Sequence, residues 1–164
     1  MIIRKAEKRD IPNLTDIYND EVINGVATLD IHPRSSEDRL EWFNAHNKDN
    51  HPLIVAEDNG TAVGYATLSP YREKEAYSST VELSVYVAAD YRGQGIASAL
   101  LTKILNFARN DPSTHLVVSV ITAGNDTSVH LHKKFGFTYC GTIHRVGMKF
   151  GKFLDIENYE LIVD

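Results

Sequence analysis

Val85-Tyr86-Val87 runs through Ala88-Ala89-Asp90-Tyr91 into Arg92-Gly93-Gln94-Gly95, and Ile96-Ala97-Ser98 then opens a segment with apolar residues at Ile96, Leu100, Ile104 and Phe107. The order is a strand, a short turn, two glycines one residue apart, and a helix reaching about Arg109. Without side chains, Gly93 and Gly95 let backbone N–H groups converge on an anion. The new helix adds unsatisfied donors and the positive end of its dipole. Such a nest suits a pyrophosphate, with Arg92 as a supplementary charge and small Ala97 and Ser98 keeping the entrance open. No Gly-Lys-Ser/Thr follows, so this is not a Walker loop. The third glycine of the dinucleotide fingerprint is absent too, and the element comes mid-chain. On these residues alone, a plain tight turn stays open as a reading.

The flanking segments place this element in a mixed α/β layer. Ile2 to Ala6 reads as a first strand. Asp10 is a candidate N-cap, with Pro12 in the first turn and Leu14, Ile17, Tyr18 and Val22 at helical spacing. Ser35 or Ser36 starts a second helix, with Glu37 and Asp38 in its first turn and Leu40, Trp42 and Phe43 as its apolar contacts. Leu53–Glu57 and Ala62–Leu68 flank Asn59-Gly60, whose residues both tolerate positive φ and so predict a hairpin. Val81–Val87 alternates, with Val81, Leu83, Val85 and Val87 on one face and Glu82, Ser84 and Tyr86 on the other. Leu116–Ile121 reads as a continuous buried strand. Asn125–Phe135 is helical and ends at Gly136, which suits a C′ position. Phe137–Ile143 and Ile156–Ile162 finish as strands. No repeat, low-complexity tract or linker divides the chain, which predicts one domain over residues 1–164.

Composition narrows the function classes. A formal charge of -5 argues against nonspecific nucleic-acid binding, which needs a clustered basic surface. The single cysteine, Cys140, cannot form an intramolecular disulfide and reads as a small buried apolar residue. His130 and His132, two residues apart, point to different helix faces and lack the spacing of a metal helix, so no metal is expected. The MIIRKAEKRD start lacks the features of a secretory signal, and no apolar run approaches the roughly 18 residues of a membrane span. Cytoplasmic residence, away from membranes, is the expectation.

Arg92-x-x-Gly95-x-Ala97 resembles the Arg/Gln-x-x-Gly-x-Gly/Ala signature of the GNAT N-acetyltransferases. Asn125-x-x-Ser128-x-x-Leu131-His132 through Gly136-Phe137 resembles their second signature. The likeness extends to the branch that acetylates phosphinothricin, methionine sulfoximine and methionine sulfone. It is carried by Tyr18-Asn19, Pro33-Arg34-Ser35, Trp42-Phe43, Gly64-Tyr65-Ala66, Tyr71-Arg72, Thr80-Val81-Glu82, Ser84 to Val87, and Val146-Gly147 through Lys149-Phe150-Gly151 to Leu154-Asp155. Leu83, Met148, Phe153 and the Thr28 region depart from that branch, which leaves the acceptor's identity open. The resemblance implies a GNAT fold, a mostly antiparallel, splayed sheet flanked by helices. It also implies a homodimer with acetyl-CoA as cosubstrate. The backbone of Val85, Tyr86 and Val87 would pair with the pantetheine arm. Arg92, Gly93, Gln94, Gly95, Ile96, Ala97 and Ser98 would hold the pyrophosphate, with Asn125 and Ser128 as further cofactor contacts.

Acetyl transfer to an amine requires a neutral amine, a stabilised oxyanion and a proton for the departing thiolate. Glu82, in mid-strand where glutamate is depleted, is the candidate base; a solvated or structural carboxylate is its alternative. Backbone donors around Val85 would meet the oxyanion. His132 occupies the position of the thiolate-protonating tyrosine of many relatives, and reads equally as an exposed helix histidine. Arg72 is the candidate for gripping an acceptor carboxylate or phosphinate, with Tyr71, Tyr77 and Thr80 completing the pocket. Lys149 and the Phe150-Gly151 turn could add to it from a second subunit. The expected reaction places an acetyl group on the α-amine of a small amino-acid-like molecule by direct attack. A protein or polyamine amine, and a non-catalytic CoA-binding domain, are the alternatives.

Overall fold

A computed structural model describes all of residues 1–164. Seven strands form one sheet: β1 (Ile2–Lys5), β2 (Leu53–Asp58), β3 (Thr61–Pro70), β4 (Thr80–Val87), β5 (Leu116–Thr122), β6 (Thr138–Lys149) and β7 (Lys152–Ile162). Four helices flank it: α1 (Ile11–Asn24), α2 (Ser36–Asn44), α3 (Ile96–Asn110) and α4 (Asp126–Lys134). The strand order is β1-β2-β3-β4-β5-β7-β6, and the β4–β5 pair is the one parallel junction among antiparallel neighbours. The mixed α/β layer is the one the element pattern predicts, and its mostly antiparallel sheet is the one the resemblance implies.

The sheet separates two apolar layers. On one face, Ile96, Leu100, Leu101, Ile104, Leu105 and Ala108 of α3 pack on Ala66, Leu68, Val81, Leu83 and Val117, with Phe137 joining below α4. Each such large side chain contributes roughly 1.5–3 kcal/mol on burial. On the other face, Leu14 and Ile17 of α1 meet Leu53, Val55 and Tyr65, with Trp42 and Phe43 of α2 against them. Phe107, expected on the buried side of α3, is instead exposed, because the apolar stripe follows Leu101, Leu105 and Ala108.

Local signals explain most element ends. Ser35 caps α2 by accepting from the Asp38 amide, and Asp38 reciprocates as a capping box. Asn59 and Gly60 both adopt positive φ in the β2–β3 turn, as expected. Asp10 precedes α1 but does not cap it. Its carboxylate takes two 2.8 Å bonds from the Arg4 guanidinium and one from the Glu7 amide. Leu40 lies toward solvent while Arg39 is buried, the reverse of the apolar-pattern reading of α2. β6 and β7 extend beyond the predicted segments, joined by Phe150 and Gly151 at positive φ. Cys140 is exposed rather than buried, its Sγ 3.3 Å from the Asn158 carbonyl oxygen, because it lies at an irregular register of the edge strand β6.

β4 and β5 pair over three residues only, Thr80 to Glu82 against Leu116 to Val118. β4 stays paired with β3 from Val81 to Val87. From Leu83 onward, therefore, the β5-facing edge of β4 has no ladder partner and the two strands diverge.

Candidate active site

Two adjoining cavities of about 760 Å³ each open where β4 and β5 diverge. One lies under α2 and the other against the start of α3. Both are lined by Ala27, Leu83, Ser84, Tyr86, Val120 and Thr122, so they meet at the divergence. Val120, expected to be fully buried in β5, is partly exposed because it forms part of this junction.

The cavity against α3 gathers most of the residues predicted to hold a cofactor. Val85, Tyr86, Val87, Arg92, Gly93, Gly95, Ile96, Ala97, Ser98, Asn125 and Ser128 all line it. Gly93 and Gly95 have φ of 74° and 82°, and a Cβ at either would meet nothing within 4 Å, so backbone conformation rather than space calls for glycine. The amides of Gly93 to Ser98 donate to no acceptor within the chain, and the first backbone bond of the helix is Ala99 to the Gly95 carbonyl. Those free donors at a helix N-terminus make an anion cradle of pyrophosphate chemistry. Gln94 stands apart: it is exposed and donates to the Asp90 carbonyl, outside the cavity lining. Arg92 is held by Glu21, at 3.3 Å, and by the Val87 carbonyl. Asn125 caps α4 by accepting from the Ser128 amide.

The cavity under α2 contains Glu82, half-buried, with Ser84 beyond it on the same face of β4. Burial raises the Glu82 pKa, and the charge of nearby Arg72 partly offsets that rise. Arg72 itself is exposed, its guanidinium 4.8 Å from the Tyr71 ring, and neither Arg72 nor Tyr71, Tyr77 or Thr80 lines the cavity of the single chain. Tyr71, Arg72 and Tyr77 lie on the segment before β4 and Thr80 is the first residue of that strand, with the Arg72 charge near Glu82.

His132 faces neither cavity. It is buried on the opposite face of β5, with Nδ1 2.7 Å from the Ser128 carbonyl oxygen, Nε2 2.8 Å from Ser119 Oγ, and the Phe137 ring edge-on at 5.1 Å. Burial lowers its pKa. The side chain is thus neither the exposed histidine nor one pointing at the cleft: both ring nitrogens are committed inside the core.

Sequence reasoning missed several residues of the α2 cavity. Arg39 is 5% exposed, with its guanidinium 3.6 Å from the Trp42 ring centroid and 4.7 Å from that of Tyr18. The guanidinium makes one hydrogen bond in the chain, to the Tyr65 hydroxyl at 3.3 Å, and its Nε is buried without a partner. Tyr18 hydrogen-bonds Asp30 and Thr28, and Arg34 closes on Asp30. Lys149, which sequence reasoning offered as a pocket residue from a second subunit, lines neither cavity: it is buried in its own chain at the end of β6 and donates to the carbonyl of the cavity residue Thr28 at 2.9 Å. Tyr18, Trp42 and Tyr65 are far apart in sequence and gather only in the folded chain, so nothing in the sequence hinted at a cation among them.

A parallel-antiparallel sheet split at β4, an anion cradle at the following helix and a second cavity meeting it at the split together define a group-transfer enzyme for two substrates. Residues 11–137 match the model of the acetyltransferase (GNAT) family. A methionine sulfoximine/methionine sulfone acetyltransferase of Pseudomonas paraeruginosa is 38% identical over 163 residues, covering 99% of this chain and 94% of that protein. The crystal structure of a ribosomal-protein-alanine N-acetyltransferase from Brucella melitensis superposes with a TM-score of 0.95 at 41% identity, covering 99% of both chains. A GNAT phosphinothricin acetyltransferase from Sinorhizobium meliloti, solved with acetyl-CoA, gives 0.92 at 31% identity, covering 99% of this chain and 88% of that one. The chain belongs to the GNAT acetyltransferase family and is an N-acetyltransferase.

Proposed function

We propose that this enzyme transfers the acetyl group of acetyl-CoA to the α-amine of a small amino-acid-like acceptor of the phosphinothricin, methionine sulfoximine or methionine sulfone type. The junction of the two cavities at Ser84, Tyr86, Val120 and Thr122 carries the reading, because it lets a cosubstrate in one meet an acceptor in the other. Named relatives acting on methionine sulfoximine and phosphinothricin support it. The whole chain works as one domain.

The unpaired amides of Gly93 to Ser98 hold the pyrophosphate, with Arg92 leaving Glu21 to join it. Asn125 and Ser128 flank the arm, which lies along the free edge of β4 beside Val85 to Val87. Acetyl-CoA supplies an activated acyl carbon, and β4 amides near Val85 face the oxygen on which charge develops. Glu82 takes the proton from the acceptor ammonium, directly or through one water, and its raised pKa suits that exchange. The neutral amine attacks the carbonyl carbon, the tetrahedral adduct loses one N–H proton to water and breaks its C–S bond, and the departing thiolate takes a proton from solvent. We assign His132 to the core and not to this step. Buried Arg39, without a carboxylate partner, together with the outer Arg72, favours an acceptor bearing an oxyanion over a polycation. Tyr71, Tyr77 and Thr80 shape the approach.

The enzyme acts in the cytoplasm as a homodimer, without a metal or nucleic acid. No helix is long and apolar enough to cross a membrane. The Brucella neighbour's name keeps a protein α-amine as the second reading. The test is thiol release from acetyl-CoA with phosphinothricin, methionine sulfoximine, methionine sulfone, ordinary amino acids, spermidine and an alanine-starting peptide. Fast turnover of the first three carries the proposal. Turnover of the peptide or spermidine alone reassigns the acceptor, and silence with CoA bound points to a non-catalytic domain.

A further inference from the structure

His46, just beyond the end of α2, is buried beside the Trp42 ring. Its Nδ1 lies 2.6 Å from the Trp42 carbonyl oxygen. A carbonyl oxygen only accepts, so Nδ1 carries the proton. Burial favours the neutral ring, which leaves Nε2 as a lone pair. Nε2 is 2.8 Å from Ser69 Oγ, so the Ser69 hydroxyl donates its single proton inward to His46. Its oxygen then has accepting capacity and nothing left to donate.

Ser69 sits directly opposite Glu82 in the β3–β4 register, and both line the α2 cavity. The wall therefore presents two acceptors side by side, a carboxylate and a hydroxyl whose orientation is locked. A free serine would rotate and offer its O–H to a carboxylate neighbour; this one is prevented from doing so. We infer that Ser69, fixed as an acceptor by His46, is an amine-binding residue that takes one N–H of the acceptor beside Glu82. His46 is a positioning residue that acts through Ser69. The inference rests on the α2 cavity being the acceptor site, as proposed above, and holds for any amine, whatever else the acceptor carries.

Kinetics on Ser69→Ala, Ser69→Thr, His46→Ala, His46→Gln and the double alanine variant test this, using whichever amine the unmodified enzyme acetylates fastest. Ser69→Ala is expected to raise the acceptor KM roughly tenfold or more, as for loss of a hydrogen bond to a charged group, while leaving the acetyl-CoA KM unchanged. Ser69→Thr keeps the hydroxyl and should stay near the parent. His46→Ala should match Ser69→Ala, and the double variant should be no worse than either, because the two act as one unit. His46→Gln, whose amide oxygen can take the serine proton, should recover most of the loss. An unchanged acceptor KM and kcat in Ser69→Ala, or additive losses in the double variant, overturns the inference. Should His46→Ala fail to fold, Ser69→Ala decides, since its side chain is only part-buried.

Nitrogen-15 NMR of the His46 ring needs no turnover and separates this inference from the choice of acceptor. A ring protonated at Nδ1, whose Nε2 signal shifts when the amine used in the kinetics binds and fails to shift in Ser69→Ala, supports it. A ring protonated at Nε2, or an Nε2 signal blind to the acceptor, overturns it even where the amino acids prove good substrates.

Discussion

A base works only while ionised, so the position of Glu82 sets a limit on the acid side of the reaction. Burial raises its pKa and Arg72 pulls it back. The acid limb of kcat/KM should therefore lie above the ordinary glutamate range, and Arg72→Ala should move it to higher pH still. Glu82→Gln is expected to lower kcat by about 10²–10⁴ with acetyl-CoA binding intact; full activity would assign the proton to another group. Asp10 gives a stability counterpart. Burial alone would push its pKa up, but the Arg4 bonds and the Glu7 amide outweigh that and hold it below the ordinary value. Because the folded pKa is the lower one, the stabilisation is present above the unfolded value and disappears as pH falls through the folded one. Asp10→Asn should cost about 3 kcal/mol at neutral pH, with the gap from the parent closing in strong acid; urea melts across pH check it. Glu82 was legible because an acidic residue inside an alternating strand is conspicuous. Arg39 was not, since a pattern of apolar positions assigns the inside of α2 to Leu40. Only three-dimensional stacking on Trp42 makes room for a guanidinium there.

The segment from β4 into α3 was the most readable element, because strand, glycines and helix follow one another without interruption. Its glycines carry a test. Gly95 caps α3 in the left-handed region with φ of 82°. Gly95→Ala meets no steric neighbour, so its cost of roughly 1–2 kcal/mol comes from the backbone alone. The cradle should distort with it. The acetyl-CoA KM is expected to rise at least tenfold while the acceptor KM holds, and an unchanged acetyl-CoA KM would remove the cradle from cofactor binding. The β6–β7 hairpin was less legible. Register shifts near Tyr139 and between Ile143 and Gly147 break the alternation on which strand reading depends, so the end of β6 could not be followed to Lys149. The departure of Asp10 from a capping role has the same kind of cause: a cap is a local preference, and Arg4 offered a stronger partner across the sheet edge.

At the scale of the molecule, the hairpin leaves Val146, Met148, Phe150 and Phe153 about half exposed near one end. A stripe of this kind suits a self-complementary contact. Met148→Glu with Phe153→Glu should halve the mass seen by sedimentation and leave the fold intact, whereas a parent enzyme already monomeric at micromolar concentration would sink the dimer. The cavity under α2 is tied to the same hairpin through Lys149 and Thr28, so subunit contact and acceptor binding should weaken together.

The parting of β4 from β5 after three residues leaves a row of main-chain groups in the middle of a sheet, where proteins normally permit such rows only at the rim. On the proposed reading, that lane is completed by a molecule that arrives and departs with every cycle. The free enzyme should therefore carry a band of fast deuterium uptake along one side of β4 and over residues 93–98, flanked by slow strands. That band should darken when cosubstrate binds and reappear as product leaves. Recognition of this kind reads backbone rather than side chains. Val85 and Val87 should then tolerate exchange for other β-formers far better than the pitch of the strand tolerates a proline.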